Sequence, residues 1–259
     1  HILLSMESAL LIASTACFLI ACVISWRALR QQRRAPAWLR IGLMATGFAM
    51  QSGFLYIRGQ ELGRCPMTSG FEILVFVSWA MALIYFVVGP AFHLSLLGFF
   101  TAPLIAVFQG VALFLQHPVV ITAPRPPDYW VELHAALALI SYGTFALAFV
   151  AGVMFLLQDR YLRSGRLGDL FYQLPPVHYL TQAIGRLLWL GFLLLTIGIL
   201  AALKMERMPE THKLIAISLV WLAYGIVIAM KLARRVGARR LATAAVVAFA
   251  FPILSYWFI

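Results

Sequence analysis

Charged residues are scarce in this sequence. Asp, Glu, Lys and Arg make up 11% of the 259 residues, whereas 63% of the residues are hydrophobic. A soluble domain usually keeps about 25% charged residues to cover its surface. The composition therefore excludes an ordinary soluble protein. It predicts an all-α integral membrane protein, a polytopic helix bundle that forms one domain over residues 1–259.

Cysteine is also rare, with three residues in the chain. Cys17 and Cys22 lie in one apolar stretch, where cysteines usually act as small buried hydrophobic residues. Cys65 stands alone in a predicted loop. Because no Cys-x-x-Cys-His motif occurs, the sequence excludes covalent attachment of haem to this chain.

The middle of each long apolar stretch lacks Asp, Glu, Lys and Arg. Pumps and ion-coupled transporters usually carry such groups within the membrane. We therefore expect no transport of protons or charged solutes, although passage of haem or of a neutral solute stays open. Glu72, near the start of the third apolar stretch, comes closest to an exception. Pro103 and Pro252 lie within apolar stretches, and simple helix kinks explain both of them.

Eight apolar stretches approach the length needed to cross a bilayer core of about 30 Å. Residues 8–24 also resemble the core of a signal peptide, but no small-x-small cleavage site follows, so we expect a membrane span there. Apolar side chains at helical spacing over residues 167–174 predict a helix in the membrane interface, and prolines over 116–133 predict an extended loop. The eight predicted spans are residues 6–26, 39–57, 71–90, 94–115, 133–157, 186–204, 213–231 and 240–259.

The basic residues collect in alternate loops. With eight spans, 14 of the 20 Lys and Arg residues fall on one side of the membrane, and seven of the nine Asp and Glu residues fall on the other. Cytoplasmic loops are enriched in Lys and Arg, so both termini are predicted to lie on the outer side. The net charge of +11 then reflects membrane topology rather than nucleic-acid binding.

The six histidines are the remaining candidates for chemistry. His134 and His212 begin spans 5 and 7, which run in the same direction, so their imidazoles are expected at a similar depth near the outer boundary. A haem between these helices could take one imidazole on each face, because histidine commonly ligates haem iron. His117 is a rival for one position, and His93 also stays open. The simpler alternative is that histidines at helix ends act as capping or interface residues.

Aromatic and basic residues near these helix ends could complete such a site. Tryptophans could form its walls, although they also suit packing positions and the membrane interface. The propionates of a haem would face the outer side, where a cation could pair with them. The candidate tryptophans are Trp79, Trp130, Trp189 and Trp221, and the candidate cations are Arg58, Arg64, Arg125, Lys204, Arg207 and Lys213.

The stretch RCPMTSGFEILVFVSWAMAL, residues 64–83, resembles a signature segment of the cytochrome c assembly family, which includes CcsA-like and CcmC-like proteins. The helix that begins HAALALISYG at His134 and the segment GFLLLTIGILAA are similar to later helices of that family. Haem-delivering members have a tryptophan-rich loop before the seventh helix, whereas here that loop reads KMERMPETHK and holds no Trp. The chain therefore resembles most closely the shorter HemX-like or YpjD-like branch. The signature residues are Pro66, Phe71, Glu72, Leu74, Phe76 and Trp79.

This resemblance implies a multi-pass protein of the bacterial cytoplasmic membrane that binds or passes haem at the outer face and is not an enzyme. We expect His134 and His212 to ligate a haem b, with Trp130, Trp79 and Glu72 contributing to the cofactor site. Expected partners are membrane lipid, haem, and other cytochrome c assembly or respiratory membrane subunits, with no nucleic acid. The alternative is a structural or accessory subunit of a larger membrane complex, which could also pass electrons.

Overall fold

The computed structural model describes residues 2–31, 37–67, 69–88, 97–115, 128–164, 176–205, 211–233 and 236–256. These residues form helices and no strand. The predicted interfacial helix over 167–174, most of the proline-rich segment, His93 and His117 lie outside the described residues. The helices are α1 Ile2–Arg30, α2 Ala37–Leu62, α3 Gly70–Val88, α4 Leu97–Phe114, α5 Tyr129–Ser164, α6 Val177–Ala202, α7 Thr211–Leu232, α8 Ala238–Ala248 and α9 Ala250–Tyr256.

Six helical segments among the described residues are long and apolar enough to cross a membrane, which confirms a polytopic bundle. The prediction of about eight transmembrane helices is thus confirmed for six of them. α2 falls short because Arg40 and Arg58 lie within it, and the apolar part of α4 is limited to Phe100–Phe114. The six segments are Glu7–Ala28, Gly70–Val88, Tyr129–Ser164, Val177–Ala202, Thr211–Leu232 and Ala238–Ser255.

The last predicted span consists of two short helices joined at a kink. α8 ends at Ala248, and α9 begins two residues later at Ala250. Pro252 has no backbone N–H to donate to the carbonyl four residues earlier, and its ring crowds that turn. The kink predicted at this proline therefore lies at Phe249, between two helices that together form one apolar segment, Ala238–Ser255. By contrast, α4 continues through Pro103.

Helix α5 is the centre of the bundle. It packs most extensively against α6, and it also contacts α3 and α8. At 36 residues it is about 54 Å long, which exceeds the predicted span 133–157. The helix begins early because the Asp128 carboxylate accepts a hydrogen bond from the backbone N–H of Trp130 at 2.9 Å.

Two glycines let the neighbours of α5 approach its backbone. A Cβ atom on Gly143 would lie 2.8 Å from the Cβ of Ala80 in α3. A Cβ atom on Gly152 would lie 3.0 Å from the carbonyl oxygen of Ala242 in α8. Small residues at such positions are the usual means of close helix packing in membranes.

From α1 to α8, helices that are consecutive in the chain run in opposite directions, so the bundle has two distinct ends. We call the end that holds the starts of α1, α3, α5 and α7 the Glu72 end, and the opposite end the Asp159 end. At the Asp159 end, Asp159 lies 3.5 Å from Arg239 at the start of α8. The described acidic residues apart from Asp159 lie at or near the Glu72 end, while Arg40, Lys231 and most other basic residues lie toward the Asp159 end. This separation of charge agrees with the predicted topology, and the assignment of the outer side stays a prediction.

Uncharged polar side chains connect the first four helices inside the bundle. The amide Nε2 of Gln51 in α2 donates to the Ser78 hydroxyl at 2.6 Å, and the Thr15 hydroxyl in α1 donates to Gln109 in α4 at 2.8 Å. All four side chains are buried. Interhelical hydrogen bonds of this kind contribute about 0.6 kcal/mol each in membranes. They fix the packing without placing charge at mid-membrane.

Candidate functional site

His134 lies in the second turn of α5, where it is half-buried against α6. Its Nδ1 atom is 2.8 Å from the backbone carbonyl oxygen of Gly198. Because a carbonyl oxygen can only accept a hydrogen bond, Nδ1 carries the proton, and in the corresponding neutral tautomer the lone pair is on Nε2. Metal-ligating histidines are usually oriented by a hydrogen bond of this type.

Trp130 lies one helical turn before His134 and therefore on the same face of α5. The Nζ atom of Lys204 lies 4.6 Å from the centroid of the Trp130 ring. Lys204 follows the end of α6, where its backbone N–H donates to the carbonyl of Ala201 at 3.1 Å. The end of α6 thus supplies a carbonyl to His134 and, six residues later, a cation to Trp130.

His212 lies in the first turn of α7, and its side chain is exposed. Further along the two helices, the rings of Phe145 in α5 and Tyr224 in α7 stack with centroids 3.5 Å apart and planes 5° apart. His134 precedes Phe145 by 11 residues and His212 precedes Tyr224 by 12, which corresponds to about 17 and 18 Å of helix.

Glu72 is fully buried at the start of α3. Its carboxylate accepts from the backbone N–H of Ser69 at 3.2 Å, while the Ser69 hydroxyl accepts from the backbone N–H of Glu72 at 3.2 Å. This reciprocal pair is a capping box that begins α3. The other carboxylate oxygen lies 3.2 Å from Nε of Arg58 in α2. Arg58 also pairs with Glu7 of α1 at 3.6 Å and with Glu61 at 3.5 Å.

Trp79 packs between two phenylalanines on the α2–α3 interface. Its ring stacks on Phe48 at 5.7 Å and tilts against Phe76 at 5.3 Å. The indole N–H donates to the Ser52 hydroxyl at 2.9 Å. The contacts described for Trp79 and Glu72 therefore join α3 to α1 and α2, whereas those of His134 and Trp130 are with α6 and α5. A direct role for Glu72 or Trp79 in binding a cofactor stays a prediction.

The segment before α3 connects these two groups of residues. The backbone N–H of Cys65 donates to the Glu132 carboxylate at 3.3 Å, two residues before His134. Burial raises the pKa of the Cys65 thiol, and the carboxylates of Glu132 and Glu72 raise it further. The thiol is therefore protonated at neutral pH, and it is a poor nucleophile or metal ligand there.

Two partners in this region were not predicted from the sequence. The pairing of Arg58 with Glu72 depends on the fold, although the Ser69-x-x-Glu72 spacing of a capping box was visible. Gly198 gave no signal, because it is one of several glycines in an apolar helix. Among the described residues, no group of three or more His, Cys, Asp or Glu side chains could hold a bare metal ion. A haem needs only axial ligands from the protein.

The family model described as "Cytochrome C assembly protein" matches residues 67–259 of this sequence. The chain belongs to the cytochrome c assembly protein family. Protein HemX from Brevibacillus brevis is 27% identical, over 73% of this chain and 70% of that protein. Cytochrome c biogenesis protein CcsA from Oryza sativa is also 27% identical, over 61% of each chain. The corresponding protein from Nandina domestica is 33% identical over 39% of this chain and 32% of that protein.

These similarities confirm the predicted family and the likeness to HemX, and they identify an integral membrane protein. The chain spans about three fifths of the length of the rice CcsA relative. The family match includes Glu72, Trp79, His134 and His212. It leaves out α1 and α2, so Arg58 belongs to a helix pair that packs onto the matched region.

Proposed function

We propose that this protein binds a haem b at the Glu72 end of the bundle, with His134 and His212 as axial ligands. It serves cytochrome c assembly or haem homeostasis in the bacterial cytoplasmic membrane and does not itself catalyse a reaction. When bound, the iron of the haem accepts the two imidazoles and supplies a redox-active centre. The relatives named for cytochrome c biogenesis support a haem-related role.

The hydrogen bond between His134 and Gly198 is the observation that carries this proposal. It holds the imidazole in one orientation and in the tautomer that leaves Nε2 unprotonated. A histidine that merely capped a helix would direct its ring to backbone groups of its own helix. Here the partner belongs to the neighbouring helix, and the hydrogen bond leaves the lone pair of a neutral ring on Nε2.

The register of α5 and α7 supports His212 as the second ligand. The Phe145–Tyr224 stack gives the two helices one common level. Counted back from that stack, the two histidines differ in depth by about 1.5 Å, the rise of one residue. Two axial ligands of one porphyrin need such similar depth. Glu72 joins α3 to α2, and through Arg58 to α1, at the same end of the bundle, while Trp79 joins α3 to α2 further along the helices.

The test is a visible absorption spectrum of the purified protein and of three alanine variants. We expect a low-spin spectrum of bis-histidine haem that is weakened in His134→Ala and in His212→Ala. His178→Ala is the matched control, since His178 is an exposed histidine of α6 at the Asp159 end, bonded to Gln182. Added imidazole should restore part of the low-spin signal in a ligand variant that is still folded.

Two results would refute the proposal. One is a haem spectrum that is unchanged in both His134→Ala and His212→Ala. The other is purification of the protein with stoichiometric protein partners and without haem, which would favour the accessory-subunit alternative. Size-exclusion profiles of the variants distinguish loss of a ligand from loss of the fold.

A further inference from the structure

We infer that Lys204 pairs with a carboxylate arm of the porphyrin held at His134, so that the site selects porphyrins with free carboxylates. This inference rests on the proposed haem site. It assigns to one residue a role for which the sequence alone left six basic residues open. The contact of Lys204 with Trp130, one helical turn from His134, carries the assignment.

Arg58 is excluded from this role by its own partners. Its guanidinium lies within 3.6 Å of the carboxylates of Glu7, Glu61 and Glu72. It is buried, at 8% exposure, between α1, α2 and α3. Since three carboxylates already surround this one cation, a fourth carboxylate would be repelled rather than bound.

Lys204 is in the opposite situation. Its side chain is exposed, and among the described residues it contacts the Trp130 ring and forms no salt bridge. A cation held on an aromatic face at an exposed site is bound weakly. The ammonium group can therefore turn to an incoming carboxylate without breaking an ion pair to any described residue.

The position of Lys204 relative to His134 is set by backbone structure. Trp130 and His134 are four residues apart on one helix, which puts their Cβ atoms about 6 Å apart. Gly198 and Lys204 come from the end of α6, and the turn that carries Lys204 is held by backbone bonds to Ala201. The ammonium group thus lies at the water-facing side of the imidazole, where the carboxylate arms of a bound porphyrin would face.

A lysine on a tryptophan near a helix end also suits a simple membrane anchor. The two roles differ in their dependence on the ligand. An anchor affects the protein in the same way whether the porphyrin carries free or esterified carboxylates. A carboxylate partner affects only the binding of the free acid.

The experiment measures the binding of three probes to detergent-solubilised protein: haem, haem dimethyl ester and metal-free protoporphyrin IX. Quenching of tryptophan fluorescence reports binding of each probe. We expect Lys204→Gln to weaken binding of haem and of protoporphyrin IX by about fivefold to tenfold, as for a partly exposed charge-assisted contact. Binding of the dimethyl ester should be unchanged. Lys231→Gln, which removes one charge at the Asp159 end, should bind all three probes like the parent protein.

Equal losses for haem and its dimethyl ester in Lys204→Gln, or no loss for either, would overturn the inference. A separate result would refute the proposed function: haem binds to the His134→Ala and His212→Ala variants as tightly as to the parent protein, and so does its dimethyl ester. Protoporphyrin IX has no iron for the histidines to ligate, so it tests Lys204 even in that case. An unchanged affinity for protoporphyrin IX in Lys204→Gln would also count against the inference.

Discussion

Arg58 is predicted to be the residue whose charge contributes most to the stability of the Glu72 end. The proposed change is Arg58→Gln, with Glu7→Gln as its comparison. Arg58, Glu7 and Glu72 are 8%, 5% and 0% exposed, so the ion pairs are hardly screened by water. The three carboxylates come from α1, α2 and α3, and the guanidinium is the group that all of them share.

The expected magnitude follows from these distances. At nitrogen–oxygen separations of 3.2 to 3.6 Å, each attraction is about 5 kcal/mol with an effective dielectric constant of 20. Repulsion among the carboxylates and the cost of burying four charges offset most of this attraction. Breaking a buried pair from one side usually costs about 3–5 kcal/mol, and we expect that loss in the free energy of unfolding for Arg58→Gln.

Glu7→Gln should behave differently. This change removes one attraction to Arg58, but it also removes repulsion from Glu61 and Glu72. With three carboxylates facing one guanidinium, the two effects nearly cancel. We expect the free energy of unfolding to change by about 1 kcal/mol or less. The double variant Arg58→Gln/Glu72→Gln should be more stable than the two single changes predict by about 1–3 kcal/mol, because the residues are coupled.

The assay is reversible unfolding in mixed micelles, followed by circular dichroism at several denaturant concentrations. Arg163→Gln is the control, since its ion pair with Asp159 is exposed and worth little. A loss of less than 1 kcal/mol for Arg58→Gln would refute the reasoning. So would a Glu7→Gln variant as unstable as Arg58→Gln, because it would mean that the carboxylates do not repel one another.

Three further predictions concern the contacts around α5. Gly143→Ala should cost about 1–3 kcal/mol of unfolding free energy by overpacking the α3–α5 contact, whereas Gly110→Ala, which meets nothing within 4 Å, should be neutral or stabilising; equal stabilities would contradict this. In a variant whose other two cysteines are replaced by serine, Glu132→Gln should lower the pKa of the Cys65 thiol, because a negative charge that raises it is removed. Maleimide labelling of Cys65 should then begin at lower pH than in the parent. Slower labelling at pH 8 than in the parent would contradict this prediction. Gly198→Ala should push α6 away from α5 by a few tenths of an ångström. We expect haem affinity, measured by titration, to fall several-fold, because the hydrogen bond that orients His134 is displaced. An unchanged affinity would show that this hydrogen bond does not position His134 for haem.

The sequence predicted the membrane class, the alternating helices and the separation of charge, because hydropathy and Arg distribution depend on the membrane alone. It also singled out Glu72, since a carboxylate beside an apolar span needs a partner. It could not identify that partner, because Arg58 becomes adjacent only when α2 packs against α3. The sequence also underestimated the length of α2, because the buried Arg58 interrupts its apolar pattern.

The close contacts of α5 at its glycines were less predictable. Gly143 and Gly152 contact neighbouring backbones, whereas Gly110 has open space around it, and all three look alike in an apolar sequence. Similarly, Lys204 was one of six candidate cations, and only the contact with Trp130 distinguishes it. Such differences arise from tertiary packing, which a single sequence does not encode in any local pattern.

The close approach of α8 to α5 has a consequence for biosynthesis. The backbone groove at Gly152 is filled by a helix that is translated about 90 residues later. Until then this part of the longest helix faces lipid or the insertion machinery instead of its neighbour. A product that stops before α8 keeps that groove open. The packing of this face of α5 is therefore complete only after α8 has been made and inserted.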